Sequence, residues 1–382
     1  MTNPLQQLKA LGQSIWLDDI DRGDLLSGRF RRLIDEDGLA GATGNPTIFE
    51  HSITHDTTYD EQMQQLIREG KSAQDIYEAL AITDEQMVAD LLRPVYEQTG
   101  GQDGFVSIEV SPYLAHETEQ TLIEVRRFWQ AIDRPNLMVK IPSTSAGIPA
   151  IRQALSEGIN INITLMFSLE NYRQVAEAYL SALEARLAAE QDISRIASVA
   201  SFFVSRVDML VDQRLEDKIK STSANAEQQK LKALQGKAAI ANARLAYQEF
   251  KRLFSTQRFE ALRQHGAHVQ RPLWASTSTK NPAYRDVLYV EELIGPNTVN
   301  TMPLKTLESF RDHGRVSLSA EEDLPQAQAV LAALQAAGID YEQVTSQLQE
   351  EGIQKFIDSF DKLLQCIEDK RKALGGRQGV QS

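Results

Sequence analysis

The sequence predicts an α/β fold, a single closed (β/α)8 barrel with an elaborated helical crossover and extra C-terminal helices. Three observations carry that expectation. Short apolar runs rich in β-branched residues recur along the 382 residues, each about the length of a strand. Longer stretches with apolar residues at helical spacing separate them, and this alternation gives a parallel sheet covered by helices. The runs number eight, which in one chain of this size favours a closed barrel over a doubly wound sheet. An open α/β sheet with a helical appendage is the alternative arrangement.

In order, the strand runs begin near Ser14 (SIWLDD), Leu39 (LAGATGNP), Phe105 (FVSIEV), Leu137 (LMVKIP), Ile159 (ININITLM), Ala197 (ASVASFF), Pro272 (PLWAST) and Thr298 (TVNTMP). After the fifth, Ser168 caps the helical run SLENYRQVAEAYLSALEARLAAE. Between the sixth and seventh, the polar stretch STSANAEQQ leads into KLKALQGKAAIANARLAYQEFKRLF, a helical insertion over about 213–262 that elaborates the crossover. Residues from about 319 to 374 read as two or three helices packing across the barrel, and GGRQGVQS reads as a frayed tail. No internal repeat beyond the βα alternation and no low-complexity linker interrupts the chain, so one domain over 1–382 is expected.

Composition narrows the function. Forty Lys and Arg against 53 Asp and Glu give a net charge of -13. That argues against nucleic acid or an anionic membrane as partner, and an anionic substrate then needs a local basic pocket. Cys366 is the only cysteine, so no intrachain disulfide can form, and a packing role on a helix is expected. The first residues lack the pattern of a signal peptide and no apolar run is long enough for a bilayer, making the cytoplasm the default. His51, His55, His265 and His268 show no metal-ligand spacing, and GATGNP lacks both the P-loop lysine and a GxGxxG pattern. No metal and no nucleotide cofactor is expected.

The chemistry is read from strand faces, because alternate residues of a strand share a side and one side of a barrel strand points to the axis. In ININITLM the polar face holds Asn160, Asn162 and Thr164. In NLMVKIPST, Lys140 shares a face with Met138; in the third strand Ser107 goes with Glu109, and in the first Trp16 goes with Asp18. A lysine, two carboxylates, asparagines and a threonine thus converge near strand C-terminal ends, where barrel enzymes build their sites. Burial lowers a lysine's pKa, and a neutral amine can attack a carbonyl to form a Schiff base. The same pattern also suits a structural ion pair of Lys140 with Asp18 or Glu109, and the residues alone leave both readings open. Ser143 and Ser145 have no histidine nearby in sequence and are expected to shape the loop after the fourth strand.

The runs WLDD, GATGNPTIF, SIEVSPYLA, LMVKIPSTSAGIPAI, GININITLMFSLENY and ASFFVSRVD, in this order, resemble the transaldolase family, closest to its longer-chain bacterial and plant type. The resemblance covers the chain from Ser14 to about Gly314. It implies a (β/α)8 barrel of the TIM type without metal or organic cofactor, acting in the non-oxidative pentose phosphate pathway. The reaction implied moves a dihydroxyacetone unit from a ketose phosphate to an aldose phosphate. By resemblance Lys140 forms the Schiff base, Asp18 is the acid/base aspartate, and Glu109 with Thr164 holds a water for proton transfer. Asn45 and Asn162 match asparagines that bind the dihydroxyacetone hydroxyls, with Thr43 beside Asn45 in the same motif. Arg206 matches a phosphate arginine, with Ser201 and Phe203 at the end of the sixth strand.

At the seventh strand the chain departs from the shorter family members, which carry Ala-Ser-Phe-Arg where it reads WASTSTKNP. Ser276 aligns, and the second phosphate cation becomes Lys280, displaced by a two-residue insertion; an exposed loop charge is the alternative for Lys280, and an ion pair with Asp208 the alternative for Arg206. Substrates are expected to be phosphorylated sugars, and a homo-oligomer is compatible with the sequence. Two other functions are weighed: a fructose 6-phosphate aldolase that uses the same lysine and releases free dihydroxyacetone, and a non-catalytic sugar-phosphate-binding barrel.

Overall fold

Eight runs of alternating side chains become eight parallel strands: β1 Gln13–Leu17, β2 Leu39–Thr43, β3 Phe105–Glu109, β4 Leu137–Pro142, β5 Ile161–Met166, β6 Ser198–Phe203, β7 Arg271–Ala275 and β8 Thr298–Met302. Each pairs with the next and β8 returns to β1, closing the barrel. The open-sheet alternative is excluded. The computed structural model describes residues 3–44, 49–50, 52–53 and 56–378; Asn45, His51 and His55 lie outside them.

β5 begins at Ile161 instead of Ile159. The side chain of Asn160 takes over the ladder there, its Nδ2 donating to the carbonyls of Pro135 and Leu137 while its Oδ1 accepts from the Ala197 amide. At its far end β5 bulges: its register against β6 shifts between Ile163 and Met166, and Leu165 takes φ 56. A two-for-one step of this kind re-aims the side chains around it.

The N-terminal end of the barrel is plugged by polar groups that satisfy one another. Asp103 accepts from the Trp16 indole at 2.9 Å, from Ser14 and from Arg271. Trp16 is wholly buried, and its indole lies flat against Gly41 of β2, where a Cβ would meet ring carbon at 2.4 Å. Only glycine fits at that crossing.

The helices follow the expected spacing with two differences. Ser168 caps Leu169–Ala188, accepting from the Asn171 amide. The crossover between β6 and β7 is cut into Ser205–Ser221, Asn225–Lys232, Ala238–Leu253 and Gln257–Arg263. The polar stretch begins a helix of its own, and Gly236 breaks the long run: it sits at φ 69, packed so closely on Tyr284 that a Cβ would lie 2.7 Å from the ring. At the C-terminus, Leu324–Ala336 is followed by one helix of 38 residues, Tyr341–Gln378, so backbone expected to fray from Gly375 stays helical through Gln378. Once a long helix is nucleated, each further residue adds a hydrogen bond at little cost.

This last helix runs over the C-terminal mouth of the barrel. Gln349 donates to the carbonyls of Ser143 and Leu165, Phe360 packs edge-on against Tyr77, and Lys370 donates to the carbonyls of Ile53 and Asp56. Among the described residues no helix is long and apolar enough to cross a membrane.

Candidate active site

Strand register sets the centre of the site. Glu109 on β3 and Asn162 on β5 stand level with Lys140 on β4, so all three share the inward face. The Lys140 ammonium lies 3.3 Å from Glu109 Oε2, and both side chains are less than a tenth exposed. Two buried opposite charges tolerate burial through each other. Burial holds the Glu109 carboxyl above the ordinary range, although the charge and hydrogen bond of Lys140 pull against that. A carboxylate made more basic in this way accepts a proton from a neighbouring amine more readily.

Asp18 follows the last residue of β1 and faces the same cleft. Its Oδ1 accepts from the Thr43 hydroxyl at 2.7 Å, and that hydroxyl stands 3.2 Å from Thr301. Asp19 does not line the cleft, as alternation predicts. Burial, with the charges of Asp21, Asp24 and Asp18, pushes its carboxyl up to about 7.

The floor is a hydrogen-bonded row. Asn162 is fully buried, donating through Nδ2 to Ser107 Oγ at 3.1 Å and accepting at Oδ1 from Ser201 Oγ at 2.6 Å. Asn162 therefore sits beneath the cleft wall, whereas Ser201 lines it. Beside the β5 bulge, Thr164 lines the cleft with a buried hydroxyl that has no hydrogen-bond partner among the described residues.

The far wall is cationic. Arg206, in the first turn of the Ser205–Ser221 helix, packs its guanidinium 5.2 Å from the Phe203 ring, and its Nη1 is buried without a partner among the described residues. Asp208, its alternative partner, instead accepts from the Ala239 amide and the Tyr289 hydroxyl. Burial pulls Arg206 below its ordinary pKa, against the charges of Asp18 and Glu109. Lys280 lines the same cleft and donates to Ser278 Oγ at 2.6 Å. It is an exposed residue, yet partial burial of its ammonium and then the charge of Arg206 lower its pKa. Ser276 completes this wall at φ 56, its hydroxyl 3.0 Å from that of Ser205. Two like charges held together at a helix N-terminus, one with an unsatisfied donor, suit a bound anion such as phosphate.

Two groups escape a reading by motif. Phe356 of the C-terminal helix lines the cleft, its ring 5.8 Å from the Lys140 ammonium. Glu85, on the inner face of the Ala73–Gln98 helix, is 4% exposed and lies behind Gly44. Its helix is amphipathic, and an acid at an inward position was the available signal. The Ser143 hydroxyl donates to Asn171. Among the described residues no group of three or more His, Cys, Asp or Glu side chains is placed to hold a metal ion.

The closed (β/α)8 barrel thus carries a buried lysine paired with a carboxylate at its strand C-termini, the end at which enzymes of this fold build their sites. Comparison with known proteins gives the family. The model of the transaldolase/fructose-6-phosphate aldolase family matches residues 15–367, and the chain belongs to that family. It is 46% identical over 376 residues to the transaldolase of Trichodesmium erythraeum, covering 98% of this chain and 99% of the relative. It is 48% identical to transaldolase 2 of Nostoc punctiforme over 98% of this chain and 99% of the relative, and 47% identical to the transaldolase of Frankia alni over the whole of both chains.

Proposed function

We propose that this chain is a transaldolase that carries a dihydroxyacetone unit on Lys140, from fructose 6-phosphate or sedoheptulose 7-phosphate to erythrose 4-phosphate or glyceraldehyde 3-phosphate. The observation that carries the reading is the shielded Lys140–Glu109 pair, 3.3 Å apart and facing a cleft that also holds Asp18. Glu109 takes the ammonium proton, and the freed amine adds to C2 of the ketose. The carbinolamine oxygen leaves as water with a proton returned through the space between Glu109 and the unpaired hydroxyl of Thr164. The protonated imine is an electron sink: Asp18 removes the C4 hydroxyl proton, the C3–C4 bond breaks, and its electrons settle in an enamine. Thr43, bonded to Asp18, positions that carboxylate. Condensation with the acceptor aldehyde reverses these steps, and hydrolysis of the new imine releases the product ketose.

Arg206 and Lys280 hold the phosphate, which gives an acidic chain the local basic pocket that an anionic substrate needs. Asn45 binds the dihydroxyacetone hydroxyls, and Asn162 holds the floor beneath them. The chain acts as one domain in the cytoplasm, within the non-oxidative pentose phosphate pathway.

The experiment is borohydride reduction of the protein with fructose 6-phosphate, followed by peptide mass spectrometry. A dihydroxyacetone-sized adduct on the Lys140 peptide, lost in Lys140→Ala, is expected. No adduct on a folded protein that binds the sugar phosphate refutes the mechanism. Erythrose 4-phosphate should be required for sustained turnover; equal turnover of fructose 6-phosphate alone would identify an aldolase instead.

A further inference from the structure

The Tyr341–Gln378 helix contributes one residue to the cleft among those described, Phe356. Its ring centre is 5.8 Å from the Lys140 ammonium, and the ring also borders an apolar hollow lined by Tyr77, Phe128 and Phe360. The ring is fixed from both sides along the helix. Toward the N-terminus, Gln349 grips the Ser143 and Leu165 carbonyls, and Gly352 packs so near Leu165 that a Cβ would lie 2.8 Å from its side chain. Toward the C-terminus, Phe360 packs against Tyr77 and Tyr113, and the Tyr113 hydroxyl donates to Asp361. Residues 349, 352, 356 and 360 recur at helical spacing, so one face carries both the anchors and the ring.

We propose that Phe356 is a specificity-determining residue: its ring keeps water from the enamine on Lys140 and so sets the partition between transfer to an acceptor and loss of free dihydroxyacetone. The inference rests on the Schiff-base reading of Lys140. The branch lies at C3 of the enamine. In transfer, C3 bonds to the aldehyde carbon of the acceptor, and the aldehyde oxygen takes the proton held by Asp18. In loss, C3 instead takes a proton delivered by solvent, which restores the imine. Water then adds to C2, the C2–N bond breaks with its electrons going to the lysine nitrogen, and dihydroxyacetone leaves. An apolar ring over the nitrogen hinders the solvent route. Its negative face also favours the cationic imine.

The test compares two rates in one protein: release of glyceraldehyde 3-phosphate from fructose 6-phosphate without acceptor, and formation of sedoheptulose 7-phosphate with erythrose 4-phosphate. Phe356→Ala is expected to raise the ratio of the first to the second by about tenfold or more, and Phe356→Leu, which keeps an apolar cover, to hold it within about threefold of the native value. Should the alanine variant not fold, Phe356→Val is read by the same ratio. A merely structural residue would lower both rates together, and an unchanged ratio in the opened variant overturns the inference. The parent reading fails differently. Absence of a borohydride adduct in the native protein removes the enamine and this inference with it, whereas an adduct with an unchanged ratio overturns the shield alone.

Discussion

Replacing Glu85 by glutamine is expected to stabilise the fold at neutral and alkaline pH while changing little near pH 4.5. The Glu85 side chain is enclosed between the Ala73–Gln98 helix and the barrel, and its Oε2 has no hydrogen-bond partner among the described residues. Burial, with the charge of Asp84, pushes its carboxyl from 4.5 up to about 8, the charge of Lys140 opposing. Tyr77 and Glu109 face the same small hollow. A group whose pKa is raised on folding supports the fold fully below its unfolded pKa and loses that support as pH climbs to the folded value. Between pH 4.5 and neutrality the loss is about 3 kcal/mol, and at saturation above pH 8 roughly 5, taking about 1.4 kcal/mol per unit. That is a large share of the roughly 5–15 kcal/mol that holds a domain folded. Glutamine keeps the shape and stays neutral, so it should escape the loss. Denaturant midpoints of both proteins at intervals from about pH 5 to about pH 8 measure it, since Asp19 and Asp208, also raised to about 7, titrate in both and cancel in the difference. Parallel midpoint curves would refute the reasoning and show Glu85 ionised in the fold.

Other substitutions probe the remaining parts. Asp18→Ala should slow carbon–carbon cleavage by roughly 100-fold or more in single turnover while the borohydride-trapped imine still forms; unaltered cleavage would remove Asp18 from the acid/base role. Arg206→Ala should raise KM for phosphorylated donors by about tenfold or more with little effect on transfer from unphosphorylated dihydroxyacetone, and Lys280→Ala should do the same more weakly, as a point charge in place of a fork. Equal losses with both kinds of donor would contradict the phosphate assignment. Gly41→Ala should destabilise the barrel by about 1–3 kcal/mol, because the added methyl enters the Trp16 indole; an unchanged thermal midpoint would mean that the indole moves freely.

Much of this molecule was legible because a barrel strand is a local object. Period-two alternation placed Lys140, Glu109 and Thr164 on inward faces, and closure then had to bring those faces together. Where the reading slipped, a side chain or a tertiary contact had displaced a backbone preference. Asn160 spent its amide on the neighbouring strands and delayed β5; Tyr284 pressed on Gly236 and split a helix that its apolar spacing joins. Alternation also turned Asn162 inward, level with Lys140, where its amide is held by Ser107 and Ser201. Phe356 was not legible at all. Spacing shows that the last helix has an apolar face, but which turn of that face rests over Lys140 depends on where Gln349, Phe360 and Lys370 find partners on distant loops. The groups proposed to make and break bonds therefore come from strands and strand ends whose pattern specifies them, while the proposed cover over Lys140 comes from a helix placed by long-range contacts. Loosening those contacts, as Gln349→Ala would, should change access of water to the enamine before it changes the chemistry of the lysine.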